Sequence, residues 1–171
     1  EGRMTDRIPD WGKGVFKSDK GAIWIEAEIA LEQSEHAFFS ESGDHSWKVV
    51  KGQSHHALHL LPDNGSSWTN TYQLLIDAPG LSYMVDFPEA GDYHIWLLAR
   101  TPDPNSDSVH VGLNKIHQFT FMTFRLTNNF EWQRIGTLKV SEAGVHEVNF
   151  WGREDGLAID KIYISKVNQQ P

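Results

Sequence analysis

The chain has 171 residues, a length that suits one domain. Its 15 Lys+Arg against 23 Asp+Glu give a formal charge of −8, which speaks against bulk binding of nucleic acid or anionic membrane. The absence of Cys excludes disulfides, thiolate nucleophiles, Cys-type zinc sites and iron–sulfur clusters.

Glu1-Gly2-Arg3-Met4 reads as the end of an engineered protease site followed by a start Met, which implies a domain taken from a longer protein. Residues 1–21 are polar and aperiodic and are expected to be a tag remnant with a linker or surface arm. The folded domain is expected over 22–166, with 167–171 as a tail. No run approaches the roughly 20 apolar residues of a membrane span.

From there the pattern predicts short strands in succession, over 23–29, 47–50, 57–61, 81–87, 93–100, 108–114, 116–124, 130–135, 138–140, 145–151 and 158–164. Leu81, Tyr83, Val85 and Phe87 carry the alternation of a half-buried strand. Turn chemistry divides the strands: Pro88–Asp92, Pro102–Asn105, Ser141–Gly144 and Arg153–Gly156. Only Ala30–Glu35 hints at a helix. Many short strands separated by Gly, Pro, Asn and Asp predict an all-β, antiparallel sandwich, without deciding its Greek-key variant.

Ile23-Trp24-Ile25-Glu26-Ala27-Glu28-Ile29 places two carboxylates two residues apart, on one face of a strand and roughly 6.5–7 Å apart at Cα. Asp160 follows in Ile159-Asp160-Lys161-Ile162, and pairing of the first and last strands brings it alongside. Three readings stand open: solvent-facing acids, a glycosidase pair, or ligands of Ca²⁺, a hard cation that collects oxygens.

The nine histidines include His55-His56-Ala57-Leu58-His59. On a strand, His55 and His59 lie about 13 Å apart, too far to share one ion. His94 and His110, on adjacent predicted strands, are expected as a hydrogen-bonded pair. No nucleophile elbow, phosphate loop or His-Glu-x-x-His helix is present.

The Ile-Glu-Ala-Glu strand, then Tyr83-Met84-Val85-Asp86-Phe87, then Gly91-Asp92-Tyr93 running to Arg100, resembles carbohydrate-binding module families six and thirty-five. The close, from Gly144-Val145-His146 through Trp151 to Leu157-Ala158-Ile159-Asp160-Lys161-Ile162, resembles the same group. It is especially similar to β-sandwich modules appended to bacterial polysaccharide-degrading enzymes, including family-115 α-glucuronidases and agar-degrading enzymes. The resemblance covers roughly residues 22–166. It implies a non-catalytic β-jelly-roll, secreted or at the cell surface, that holds a catalytic domain of the same parent chain on a plant or algal polysaccharide. No nucleic-acid or membrane partner is implied.

The resemblance also implies a structural Ca²⁺ held by Glu26, Glu28 and Asp160. This chain departs from the group in two places. Ala158 stands where many members carry a sugar-binding Asn, and Phe130-Glu131-Trp132 replaces a Trp-x-x-Trp spacing.

Sugar recognition needs a flat apolar face beside polar groups that pair hydroxyls. Trp68 in a polar loop, Phe130, Trp132 and Trp47 are the candidate platforms; Arg100, Asp107, Arg153 and Asp155 are the candidate polar contacts. Trp24 and Trp96, inside strands, are expected to be structural. Two rival classes remain: a sandwich enzyme using the acids and His110, and a module that packs against a catalytic domain or dimerises without binding glycan.

Overall fold

The computed structural model describes residues 15–171; of the tag remnant and arm expected over 1–21, residues 1–14 lie outside the described residues. The described chain forms twelve strands. They are β1 (Phe16–Lys17), β2 (Ala22–Glu26), β3 (Ala37–Ser40), β4 (Ser46–Lys51), β5 (His56–Leu61) and β6 (Gly80–Phe87), followed by β7 (Gly91–Arg100), β8 (Val109–Leu113), β9 (Ile116–Phe121), β10 (Glu131–Val140), β11 (Gly144–Gly152) and β12 (Ala158–Ser165).

They build a β-sandwich of two six-stranded sheets. Sheet A runs β1-β6-β11-β8-β9 with β3 also on β6, and sheet B runs β10-β7-β12-β5-β4 with β2 on β12. All pairings are antiparallel except the short β1–β6 pair. Alternation sets the core, because every second residue of β6, β7 and β11 faces inward. Tyr83, Val85 and Phe87 thus meet Ile95, Leu97, Val148 and Phe150 in one cluster that draws on both sheets.

Several local expectations change. The first long strand stops at Glu26, and Ala27–Glu32 turns into a 3₁₀ helix that buries Ala27, Ile29 and Ala30. Gln33 ends it in the left-handed conformation, and Tyr83 donates its hydroxyl hydrogen to the Ala27 carbonyl at 2.7 Å. The segments 130–135 and 138–140 join into the single β10, bulged between Arg134 and Gly136. Gly136 is obligatory there, because a Cβ would stand 2.5 Å from the Phe119 ring packed across from β9.

Phe16 and Lys17, read as part of an arm, pair with Val85 and Asp86. His94 and His110 are not neighbours, since β7 and β8 belong to different sheets. His94 accepts from Arg134 at 2.8 Å, whereas His110 bonds the Trp68 carbonyl and Thr120, each at 2.7 Å.

A segment between β5 and β6 lies over the outer side of sheet A. Trp151, which alternation turns outward from β11, is covered by Leu74, Ala78 and Trp68 and is 3% exposed. No helix among the described residues is long and apolar enough to cross a membrane.

Candidate functional site

On the outer side of sheet B, register lines up the aromatic residues. Trp24 on β2 stands opposite Tyr163 on β12, Tyr163 opposite Trp96 on β7, and Trp96 opposite Arg134 on β10. Two residues along, Glu26, Lys161, Leu98 and Trp132 form a second row. The rings meet edge to face, with Trp24–Tyr163 centroids 4.6 Å apart, Trp24–Trp132 6.0 Å and Trp132–Tyr163 6.3 Å.

Two adjoining hollows open beside these rows. The larger, about 550 Å³, is lined by Trp96, Leu98, Phe130 and Trp132 together with Gln53, Gln133 and the two arginines Arg125 and Arg134. The smaller, about 430 Å³, is lined by Lys51, Gly52, Arg100, Asn128 and Asn129. Gln53 and Phe130 belong to both, so the hollows form one groove. The Arg100 guanidinium lies over the Phe130 ring, 4.9 Å from its centroid. The Trp96 indole nitrogen is buried with no hydrogen-bond partner among the described residues, although the ring reaches the groove.

Of the residues expected to contact ligand, Phe130, Trp132 and Arg100 come together here. Ala158 explains the shape of the floor, for it packs with Ala57, Leu98 and Phe130 where a longer side chain would fill the space.

The others lie elsewhere. Trp47 is 1% exposed in the core and donates its indole N–H to the Pro79 carbonyl, so it has no face for a ligand. Trp68 packs on the sheet A side, edge to face with His45 at 4.9 Å. Asp155 is fully buried and accepts from the N–H groups of Asn64, Gly65 and Ser66 and from His45. These donors hold its carboxyl below the ordinary aspartate range against the opposing effect of burial. It is a loop anchor rather than a sugar contact.

Arg153 donates to Ser108 at 3.2 Å. The Asp107 N–H donates to Glu154, and burial, with the hydrogen bond the protonated Asp107 carboxyl gives that neighbour, raises the Asp107 carboxyl to about 6. Trp24, Trp96 and Tyr163 were absent from the expected contacts. Alternation alone places them opposite Ile23, Ile25 and Ile95, and that was their signal.

The carboxylates Glu26, Glu28 and Asp160 are neighbours, because β2 pairs with β12 as expected. Asp160 is fully buried and accepts from the Gln53 N–H at 2.7 Å. Gly52 makes that approach possible, as a Cβ there would lie 2.6 Å from Asp160 Oδ2. The Lys161 ammonium reaches Asp160 at 3.1 Å and Glu26 at 3.3 Å. Glu28 Oε1 is buried without a partner among the described residues, and burial, more than the nearby acids, raises its carboxyl to about 7.

Among the described residues, no three ligating side chains converge around one point. The donor set is nonetheless made of hard oxygens, and the one ammonium among them pairs with two of the three carboxyl groups.

This β-sandwich is the fold of carbohydrate-binding modules of families 6 and 35. The C-terminal family 6 module of a marine laminarinase from Zobellia galactanivorans superposes with a TM-score of 0.58 at 16% identity, over 85% of this chain and 99% of that one. The family 6 module of Cellvibrio mixtus lichenase 5A, in complex with cellotriose, gives 0.56 at 18%, over 85% and 97%. A family 35 module from Clostridium thermocellum gives 0.57 at 10%, over 84% and 96%.

In sequence, the chain is 25% identical over 188 residues to the uncharacterized protein P23 of Formosa agariphila. That match takes in 88% of this chain and 45% of P23, so the chain spans less than half of its relative's length. No family model matches.

Proposed function

We propose that the chain is a non-catalytic carbohydrate-binding module, acting outside the cell or at its surface, which docks a polysaccharide in the sheet B groove. It thereby holds an attached catalytic domain on its substrate. The observation that carries this is the groove wall, where Trp132 and Trp96 stand beside the amides of Gln53, Asn128 and Asn129, with Phe130 packed beneath Arg100. Apolar ring faces suit the C–H faces of a sugar, and amides pair with its hydroxyls. The shared fold supports the same reading.

The test is affinity electrophoresis in gels cast with plant and algal polysaccharides, paired with an assay for released reducing ends. At least one gel retards the wild-type protein and no reducing ends appear. Trp132→Ala weakens retention about tenfold, or about 1.4 kcal/mol, with an unchanged circular dichroism spectrum. Free migration in every gel, or full retention by both Trp132→Ala and Phe130→Ala, overturns the proposal.

A structural Ca²⁺ is part of the same reading. Glu26, Glu28 and Asp160 would hold it, and the orphan Glu28 oxygen supports a cation there. Bound Ca²⁺ would supply positive charge among the carboxylates that Lys161 partly neutralises. EDTA is expected to lower the melting temperature, and Glu26→Gln to abolish that sensitivity. An unchanged melt together with no calcium by elemental analysis removes the metal.

A further inference from the structure

The groove is cationic on an acidic protein. Lys51 and Arg100 stand in one part of it and Arg125 and Arg134 in the other. Glu131 is the one carboxylate among its described lining residues, and it is taken by Arg125 at 2.5 Å. Among the described residues, Lys51, Arg100 and Arg134 have no carboxylate within ion-pairing distance.

Arg134 is oriented by neutral partners. It donates to His94 Nδ1 at 2.8 Å and Thr137 Oγ1 at 2.7 Å. Arg100 is fixed by its contact with Phe130, which leaves its N–H edges for a ligand. Glu26 and Asp160, which Gln53 links to the groove, are engaged by Lys161 and the Gln53 N–H. With a formal charge of −8 for the whole chain, unpaired cations gathered at one groove run against the bulk composition.

A guanidinium presents a planar fork of donors that matches a carboxylate or sulfate two bonds at a time. A neutral glycan would desolvate these cations with nothing to pair them. We infer that the ligand is an anionic polysaccharide, one whose uronate carboxylates or sulfate esters are held by Arg100 and Lys51, with Arg134 engaging the next charged residue along the chain. This assignment rests on glycan binding by the groove and specifies its chemistry.

The experiment uses the full chain on beads bearing matched pairs of polysaccharides. Polygalacturonate is set beside its carboxyl-reduced form, and ι-carrageenan beside its desulfated form. Retention is expected on a charged member, about tenfold weaker on its neutralised partner, and reduced in about 0.3 M salt. Arg100→Gln loses about tenfold on the charged member, as does Lys51→Gln, whose exposed side chain keeps folding out of the comparison. Lys139→Gln, the same charge change at the far end of β10, loses nothing.

Retention on the carboxylate pair alone or the sulfate pair alone names the group recognised. Equal retention on charged and neutral members, or an Arg100→Gln loss no larger than that of Lys139→Gln, overturns the anionic assignment and leaves glycan binding standing. Retention on no member, charged or neutral, removes glycan binding by the groove and this assignment with it.

Discussion

Ionising a carboxylate that is shut away from water and left without a donor is costly, and Glu28 is in that position. Its folded-state value of about 7 lies above the ordinary 4.5. The folded protein therefore keeps a proton that the unfolded chain releases between those two values. Stability from neutral Glu28 is full below about pH 4.5 and is lost as pH rises to about 7. In EDTA, Glu28→Gln is expected to raise the melting temperature at pH 8 and leave it unchanged at pH 4.5. With the proposed Ca²⁺ present at pH 8 the sign reverses, since the amide is a poorer ligand. Thermal melts at both pH values check this, and a shift independent of pH would refute it.

The inserted segment between β5 and β6 shows how an element can redirect a side chain. Trp68 looks like an exposed platform in a polar loop, yet it closes over Trp151 and hands its carbonyl to His110. Trp68→Ala is expected to cost about 2–3 kcal/mol in a urea titration, with polysaccharide retention unchanged. Gly136→Val is expected to destabilise by a similar amount, because its side chain collides with Phe119.

The strands of both sheets were legible because alternation and turn residues are local properties. β6, β7, β8 and β12 lie within two residues of their expected bounds. The groove was only half legible. Phe130, Trp132 and Arg100 announce themselves next to loop residues, but the row Trp24–Tyr163–Trp96 exists only through pairing of strands distant in sequence. Asp155 misled for the same reason, because its donors come from residues 64–66.

At the scale of the molecule, one core drawn from both sheets predicts a single melting transition, with calorimetric and van't Hoff enthalpies in agreement. Two resolved transitions would contradict it. The uneven charge also acts at this scale. An acidic body repels a polyanion from most directions and leaves the groove as the favoured approach, so association should slow steeply with added salt.

The covering of Trp151 bears on valency. With Trp151 on that side of sheet A covered by Leu74, Ala78 and Trp68, the described residues present their aromatic groove on sheet B. A single copy would then grip one strand of glycan without bridging two, so polysaccharide solutions should stay clear and unthickened on mixing. Avidity would have to come from further modules along a parent chain.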